Sequence, residues 1–375
     1  MDFDPNNLDR VIDDALATKR VAGAVVMASR SGHIIYSSAR GLADLEARRP
    51  MDLNSIFRMA SLTKPIASVC VLALVDAGLI DLEEDIRRYL PAFSPMLGSG
   101  EVPTITIRHL LTHTSGLTYD FLQPPTGSYW AKQVSSGLDQ PGLTLSEQLA
   151  RANAVPLVAM PGTAFNYSIS TDILGAAVMS VTHGTLDEAF LRFVLGPLGM
   201  YETGFVPTDN SRVTQAYFNH EGALSRMGPS QLVANDISFT SFSPDRWRDP
   251  KSFQSAGAGL LGTASDYLTF LVALLQGGSP ILSPNKMNWL AENAIGDLEV
   301  DPANPGWGFS LGFSVLRDRV SVGTPQANGS WSWGGAYGHS WFVDPSQELA
   351  VVALTNTAME GVAGQFPLEV RNAFY

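Results

Sequence analysis

The strand-forming residues of this chain stand at its two ends, and that placement limits the folds open to it. Val21 to Ser29 and His33 to Arg40 are β-rich and flank Ser31-Gly32, the pattern of a tight hairpin. After a long interval β-rich segments return at Trp307 to Leu316, Ser330 to Tyr337, Ser340 to Asp344 and Leu349 to Thr355, with Asp344-Pro345-Ser346 as a turn between the last two. Two strands alone do not make a stable sheet. The simplest solution pairs both sets into one antiparallel sheet, so that the ends of the chain meet and the middle is an insertion.

Helical periodicity fills the rest. Leu8, Val11, Ile12, Ala15 and Leu16 share one face of a helix expected from Asp4 to Lys19. Ile66, Val69, Cys70, Ala73, Leu74 and Ala77 repeat at the same spacing over Ser61 to Ala77, with Pro65 tolerable in the first turn and Gly78 as the stop. From Leu79 to about Gly199 helices alternate with loops such as Gln123-Pro124-Pro125-Thr126-Gly127. A further helix is expected from Asp266 to Gln276, and another from about Gly361. The fold class is therefore α+β: an antiparallel sheet flanked by helices, with an inserted, mostly helical domain. Residues 1–80 and 200–375 would form one discontinuous domain and residues 81–199 the insertion. A length of 375 residues suits this division. The seam between the two is the expected place for a small-molecule pocket.

Composition removes several function classes. A net charge of −12 without a basic patch argues against nucleic acid as a partner. One cysteine, Cys70, excludes an internal disulfide, and six scattered histidines offer no metal-binding spacing, so no metal is expected. No apolar run approaches a membrane span, and the acidic Met1-Asp2-Phe3-Asp4-Pro5 lacks a signal-peptide pattern. A soluble, cytoplasmic protein with no membrane partner is the expectation.

Several motifs could carry chemistry. Ser61-Leu62-Thr63-Lys64 places a hydroxyl and an amine three residues apart in a first helical turn, on one face, where a partly desolvated lysine can take the serine proton. With 35 serines and 5 lysines in the chain, such a pair is weak evidence alone. Ser283-Pro284-Asn285-Lys286 repeats it and reads as an N-cap followed by proline. Gly308-Phe309-Ser310-Leu311-Gly312 matches a nucleophile elbow in letters, but Trp307 to Leu316 reads as one continuous strand, without the required turn and helix. Gly257-Ala258-Gly259-Leu260-Leu261-Gly262 has no strand before it, so packing glycines explain it better than a dinucleotide site. Tyr167, after the Pro161-Gly162 turn, stands at a loop-to-helix junction where a phenol can face a cleft. The Gly334-Gly335 pair after Trp333 marks either close backbone approach by a ligand or a bulge or edge feature of the strand.

Taken together these motifs resemble the serine β-lactamase-like superfamily: class C β-lactamases, DD-peptidases and, most of all, the family VIII carboxylesterases. The resemblance rests on Met59-Ala60-Ser61-Leu62-Thr63-Lys64, on Ile107 to Leu117 (IRHLLTHTSGL), on Pro161-Gly162-Thr163 leading to Tyr167-Ser168, and on Trp333-Gly334-Gly335. It implies a β-lactamase/transpeptidase-like fold and a serine hydrolase that needs no cofactor. Ser61 would be the nucleophile, Lys64 and Tyr167 would share the base and acid roles, and the amides of Ser61 and Ala336 would form the oxyanion hole. Trp333, Gly334, Gly335 and Tyr119 would border the substrate, Asp172 would support the hydroxyl network, and His109 and His113 would be structural. Two departures bear on the substrate. Ile169 replaces the asparagine of the class C second motif, and Trp333 replaces the lysine that opens the third. Losing that cation weakens the case for an anionic β-lactam, while an indole suits a neutral ester. Trp331, Tyr337, Trp130 and Phe121 could extend an aromatic wall. The expected activity is carboxylesterase action on short-chain esters through an acyl-enzyme, with weak cephalosporin hydrolysis. β-Lactamase or D-amino-acid peptidase action, and acyl transfer, are the alternatives.

Overall fold

Gly23–Arg30 is a run of small and branched apolar residues buried almost throughout, a pattern that only a central strand satisfies. In the computed structural model, which describes residues 3–375, it lies between its hairpin partner His33–Asp44 and the late strand Leu349–Thr355. The pairing with the late strand runs unbroken from Ala24 opposite Thr355 to Arg30 opposite Leu349. The eight-stranded antiparallel sheet continues through His339–Asp344, Trp331–Gly335, Ser314–Leu316 and Trp307–Phe309, with Arg49–Pro50 at the opposite edge. Ser31 and Gly32, with φ of +51° and +80°, form the two-residue turn that matches the twist of a hairpin.

Strand alternation sends Val25 and Met27 to one face of the sheet and Ala24, Val26 and Ala28 to the other. On the second face pack the helices Pro5–Ala17 and Phe366–Asn372, through Leu8, Ile12, Phe366 and Val370. Asp4 caps the first of these by accepting from the Asn6 amide at 3.0 Å. On the first face Thr63–Asp76 and Ala264–Leu275 join the larger core. Thr63–Asp76 is buried on nearly every side, because the helix Ser170–Thr182 covers the side turned from the sheet. A helix placed this way carries its polar residues into the interior, Lys64 among them. Among the described residues no helix is long and apolar enough to cross a membrane.

Two readings of the sequence are corrected, and one region is added. Trp307 to Leu316 is not one strand but a hairpin, broken because the Ser310 hydroxyl accepts from the amides of Gly312 at 3.2 Å and Phe313 at 3.3 Å, closing a turn. The helix near Gly361 is two, Glu360–Ala363 and Phe366–Asn372. Residues 200–260 also contain two small hairpins that periodicity did not reveal, Tyr217–His220 with Ala223–Arg226 and Gln231–Ala234 with Phe239–Phe242. Ser283 does cap Pro284–Ala291, accepting from the Lys286 amide at 3.4 Å.

His339 fastens the sheet to the segment that leads to Ser61: its Nε2–H donates to the Arg58 carbonyl at 2.7 Å. Burial lowers the pKa of this histidine from 6.5 to about 4. At neutral pH it is uncharged in both folded and unfolded chains. Below pH 6.5 the unfolded chain takes up a proton that the folded one refuses, so stability falls on acidification until about pH 4. This residue alone should account for a loss of about 3 kcal/mol across that window. His339→Gln keeps a donor but does not titrate, and urea unfolding from pH 7 to 4 should show a flatter acid limb for it than for the parent.

Candidate active site

The segment Ala60–Leu62 is a single 3₁₀ turn that feeds into Thr63–Asp76. Its first residue, Ala60, has φ of +48°, a left-handed conformation that a residue with a Cβ enters only under constraint. The following residue, Ser61, lines a cleft, while Leu62, Thr63 and Lys64 are buried beneath it. The i, i+3 spacing does what helical geometry requires: Lys64 Nζ donates to Ser61 Oγ at 3.2 Å. Its second acceptor is the Gly257 carbonyl at 2.7 Å. Tyr167 reaches the same serine from another part of the chain, its hydroxyl donating to Ser61 Oγ at 2.7 Å.

Tyr167 is held by its neighbours. Its ring centroid lies 4.9 Å from His113, 5.1 Å from Tyr119 and 5.2 Å from Trp333. Burial, and then the nearby Lys64, keep His113 neutral by pushing its pKa well below the usual imidazole range, and its Nδ1 is 3.0 Å from Ser168 Oγ. His109 closes the capping box of Ile107–Leu111, accepting from the Thr106 amide at 3.2 Å. Lys64 Nζ lies 4.7 Å from the Tyr167 ring centroid and 5.3 Å from that of Tyr119, so aromatic faces surround the cation.

Asp172 acts on Lys64 through the backbone of Gly257. One carboxylate oxygen accepts from the Gly257 amide at 2.9 Å and from the Ser255 hydroxyl at 2.7 Å, while the Gly257 carbonyl takes the lysine. Burial raises the Asp172 pKa, and these two hydrogen bonds work against it. Burial, followed by the charges of Tyr167, Asp172 and Asp120, raises the Tyr119 phenol well above its usual range. A Cβ on Gly257 would stand 3.3 Å from Asp172 and 3.4 Å from the Tyr119 hydroxyl, so glycine eases a tight approach here. Sequence reading took Gly257 as a packing glycine and missed this link. The match to a cofactor fingerprint was the visible signal, and it pointed to the wrong chemistry.

The strand Trp331–Gly335 meets the serine turn edge-on. A Cβ on Gly335 would come within 2.6 Å of the Met59 carbonyl, so that residue gives close approach and does not itself border the cleft. Trp333, Gly334 and Ala336 do border it, as do Ser61, Tyr119 and Tyr167. The cleft has a volume of about 540 Å³ and largely apolar walls, including Phe121, Leu122, Phe165, Ile237, Met359 and Val362. The aromatic wall differs from expectation. Phe121 belongs to it, but Trp331 lies deeper against Phe313, Tyr337 turns toward Phe242, and Trp130 stands outside. Phe165 takes their place, and the buried Phe309 packs behind Trp333 at 5.2 Å. Ser310 of the elbow-like match is fully buried in its turn, far from any such role. Ile237 comes from the hairpin Gln231–Phe242, whose two four-residue strands are too short for periodicity to show that it reaches the cleft.

The Beta-lactamase family model matches residues 8–369 of the chain. The chain is 40% identical over 371 residues to Esterase EstB of Burkholderia gladioli, covering 98% of itself and 94% of that protein. It is 26% identical to Lovastatin esterase of Penicillium rubens, with 98% and 96% covered. Among solved structures it superposes on EstCE1, described as a hydrolase with promiscuous acyltransferase activity, with a TM-score of 0.95 at 36% identity, covering 99% of this chain and 98% of that one. A match of this extent, on a sheet and serine turn of this form, makes the chain a member of the beta-lactamase family, on the side of its family VIII esterases.

Proposed function

We propose that the protein is a serine carboxylesterase that hydrolyses short-chain esters through an acyl-enzyme, without a cofactor and with the cytoplasm as its compartment. The observation that carries this reading is the convergence of Lys64 Nζ and Tyr167 OH on one serine oxygen at the floor of an apolar cleft. Ser61 Oγ attacks the ester carbonyl as its proton passes to the Lys64–Tyr167 pair. The amides of Ser61 and Ala336 hold the oxyanion, an interaction whose loss typically costs about 10²–10³ in rate. Tyr167 returns the proton to the departing alkoxide, and water then cleaves the acyl-serine. Tyr119 and Asp172 are positioning residues in this scheme, keeping Lys64 against Gly257. Residues 1–80 with 200–375, and 81–199, are the proposed domains whose seam forms the cleft.

The relatives support the reading, since two of them are named esterases and span nearly the whole chain. EstCE1 favours a second outcome for the same acyl-enzyme, discharge to an alcohol in place of water. Trp333 at the head of the third motif supports neutral esters over β-lactams, whose carboxylate would meet an indole instead of a cation.

Ser61→Ala should abolish hydrolysis of nitrophenyl acetate and butyrate while leaving the circular dichroism spectrum and unfolding curve unchanged. Turnover retained by that variant would remove the nucleophile. Tyr167→Phe should lower kcat by about 10²–10⁴ with a smaller effect on KM, as expected for a lost proton-transfer group. In a panel that includes a chromogenic cephalosporin, kcat/KM for the esters should exceed that for the β-lactam; the reverse order would favour a β-lactamase. Adding a primary alcohol should divert part of the product to the new ester, detectable by gas chromatography.

A further inference from the structure

A second, smaller cavity of about 120 Å³ lies across Leu138 and Ala258 from the cleft, sharing those two residues as a wall. Two arginines line it, and both are buried: Arg58 is 8% exposed and Arg246 is 7% exposed. Arg58 has acceptors. It donates to the carbonyls of Pro244 and Thr214, and its Nη2 lies 3.5 Å from Asp245. Arg246 is served far less well. Its Nε donates to the Asp139 carbonyl at 2.8 Å and its guanidinium lies 4.4 Å over the Phe253 ring, but Nη2 has no acceptor among the described residues. The indole Nε1 of Trp247, another wall residue, has none either. A buried donor without an acceptor costs about 1–3 kcal/mol, and a buried cation more.

One carboxylate, Asp249, also lines the cavity, with one oxygen already engaged by the Lys251 amide at 2.9 Å. Among the wall residues two arginines stand with this one carboxylate; Asp245 serves Arg58, and Asp139 and Asp172 lie near Arg246, from outside the wall. One side of the cavity is apolar, formed by Phe205, Val206, Leu260 and Phe253, while Ser243, Ser252, Gln254 and Tyr337 make the rest polar. Unspent N–H donors on a cation suit an anion with paired oxygens. Apolar walls suit an aliphatic tail behind that head. A cavity of about 150 Å³ holds benzene, so this one of about 120 Å³ takes a chain no longer than that of butyrate.

We infer that this cavity is a binding site for a short-chain carboxylate, its oxygens on Arg246 and Trp247 and its tail against Phe205 and Leu260. Phosphate carries the charge but has no apolar part to fill the space. A carboxylate is also the acid that ester hydrolysis would release; that connection alone rests on the proposed function, and the site itself does not.

Calorimetric titration of the full-length protein with sodium butyrate, neutral butyramide and inorganic phosphate tests the site. Butyrate should saturate with a Kd of about 1 mM or tighter, and the other two should bind at least ~10-fold more weakly. Trp247→Phe keeps the ring but loses the donor, and should weaken butyrate about 5–10-fold. Val206→Glu adds a negative charge at a rim residue that is 66% exposed, and should weaken it at least ~10-fold. Arg246→Gln should remove binding. Should that variant not fold, Val206→Glu still decides the matter. No saturable butyrate binding, equal affinity for butyramide, or indifference to Val206→Glu and Trp247→Phe would each overturn the inference. A protein that passes these tests yet hydrolyses no ester keeps the anion site and loses the esterase reading, so the two fail separately.

Discussion

The site depends on the contact between the glycine-rich end of Trp331–Gly335 and the turn that carries Ser61. Only a residue without a side chain lets the strand come up to the Met59 carbonyl, and only that approach sets Ala336 beside the serine. The strand is in turn held by its neighbour His339–Asp344, which pairs with the central strand's partner Leu349–Thr355. Displacing any of these would move the two proposed oxyanion amides relative to each other, a distance to which such catalysis is sensitive.

Burial gives the lysine its character. A helix that packs against a sheet on one side and another helix on the other has no solvent face on which to place a charge. Lys64 therefore makes its contacts inside, with a hydroxyl, a backbone carbonyl and two aromatic faces, and among the described residues no carboxylate touches it. Asp172 stays one peptide group away, at Gly257. The intervening peptide group leaves Lys64 Nζ to contact Ser61 and the Gly257 carbonyl.

Much of this was legible in the sequence, for identifiable reasons. The Ser31-Gly32 hairpin and the burial of Gly23–Arg30 follow from local chemistry, and the need to complete a two-stranded sheet forced the ends of the chain together. Ser61 and Lys64 are three residues apart, so helix geometry alone joins them. Tyr167 could be connected to them only through the resemblance, since no local rule links residues so far apart. Gly257 was misread for the same reason, as its role is set by Asp172, 85 residues away. The break at Ser310 turned on a single side-chain hydroxyl within an otherwise strand-like run, and the strands Gln231–Ala234 and Phe239–Phe242 are short, with Leu232 and Phe239 exposed, so apolar residues do not mark their buried face.

The left-handed Ala60 has a bearing on how such a chain could evolve. An alanine there costs about 1–3 kcal/mol against relaxed backbone, a debt the rest of the fold must carry. Glycine would relieve that strain and let the turn sample more conformations, trading a fixed hydroxyl for a hardier protein. Lineages selected for heat tolerance alone would be expected to drift toward glycine at this position, and those selected for turnover to keep the strained residue.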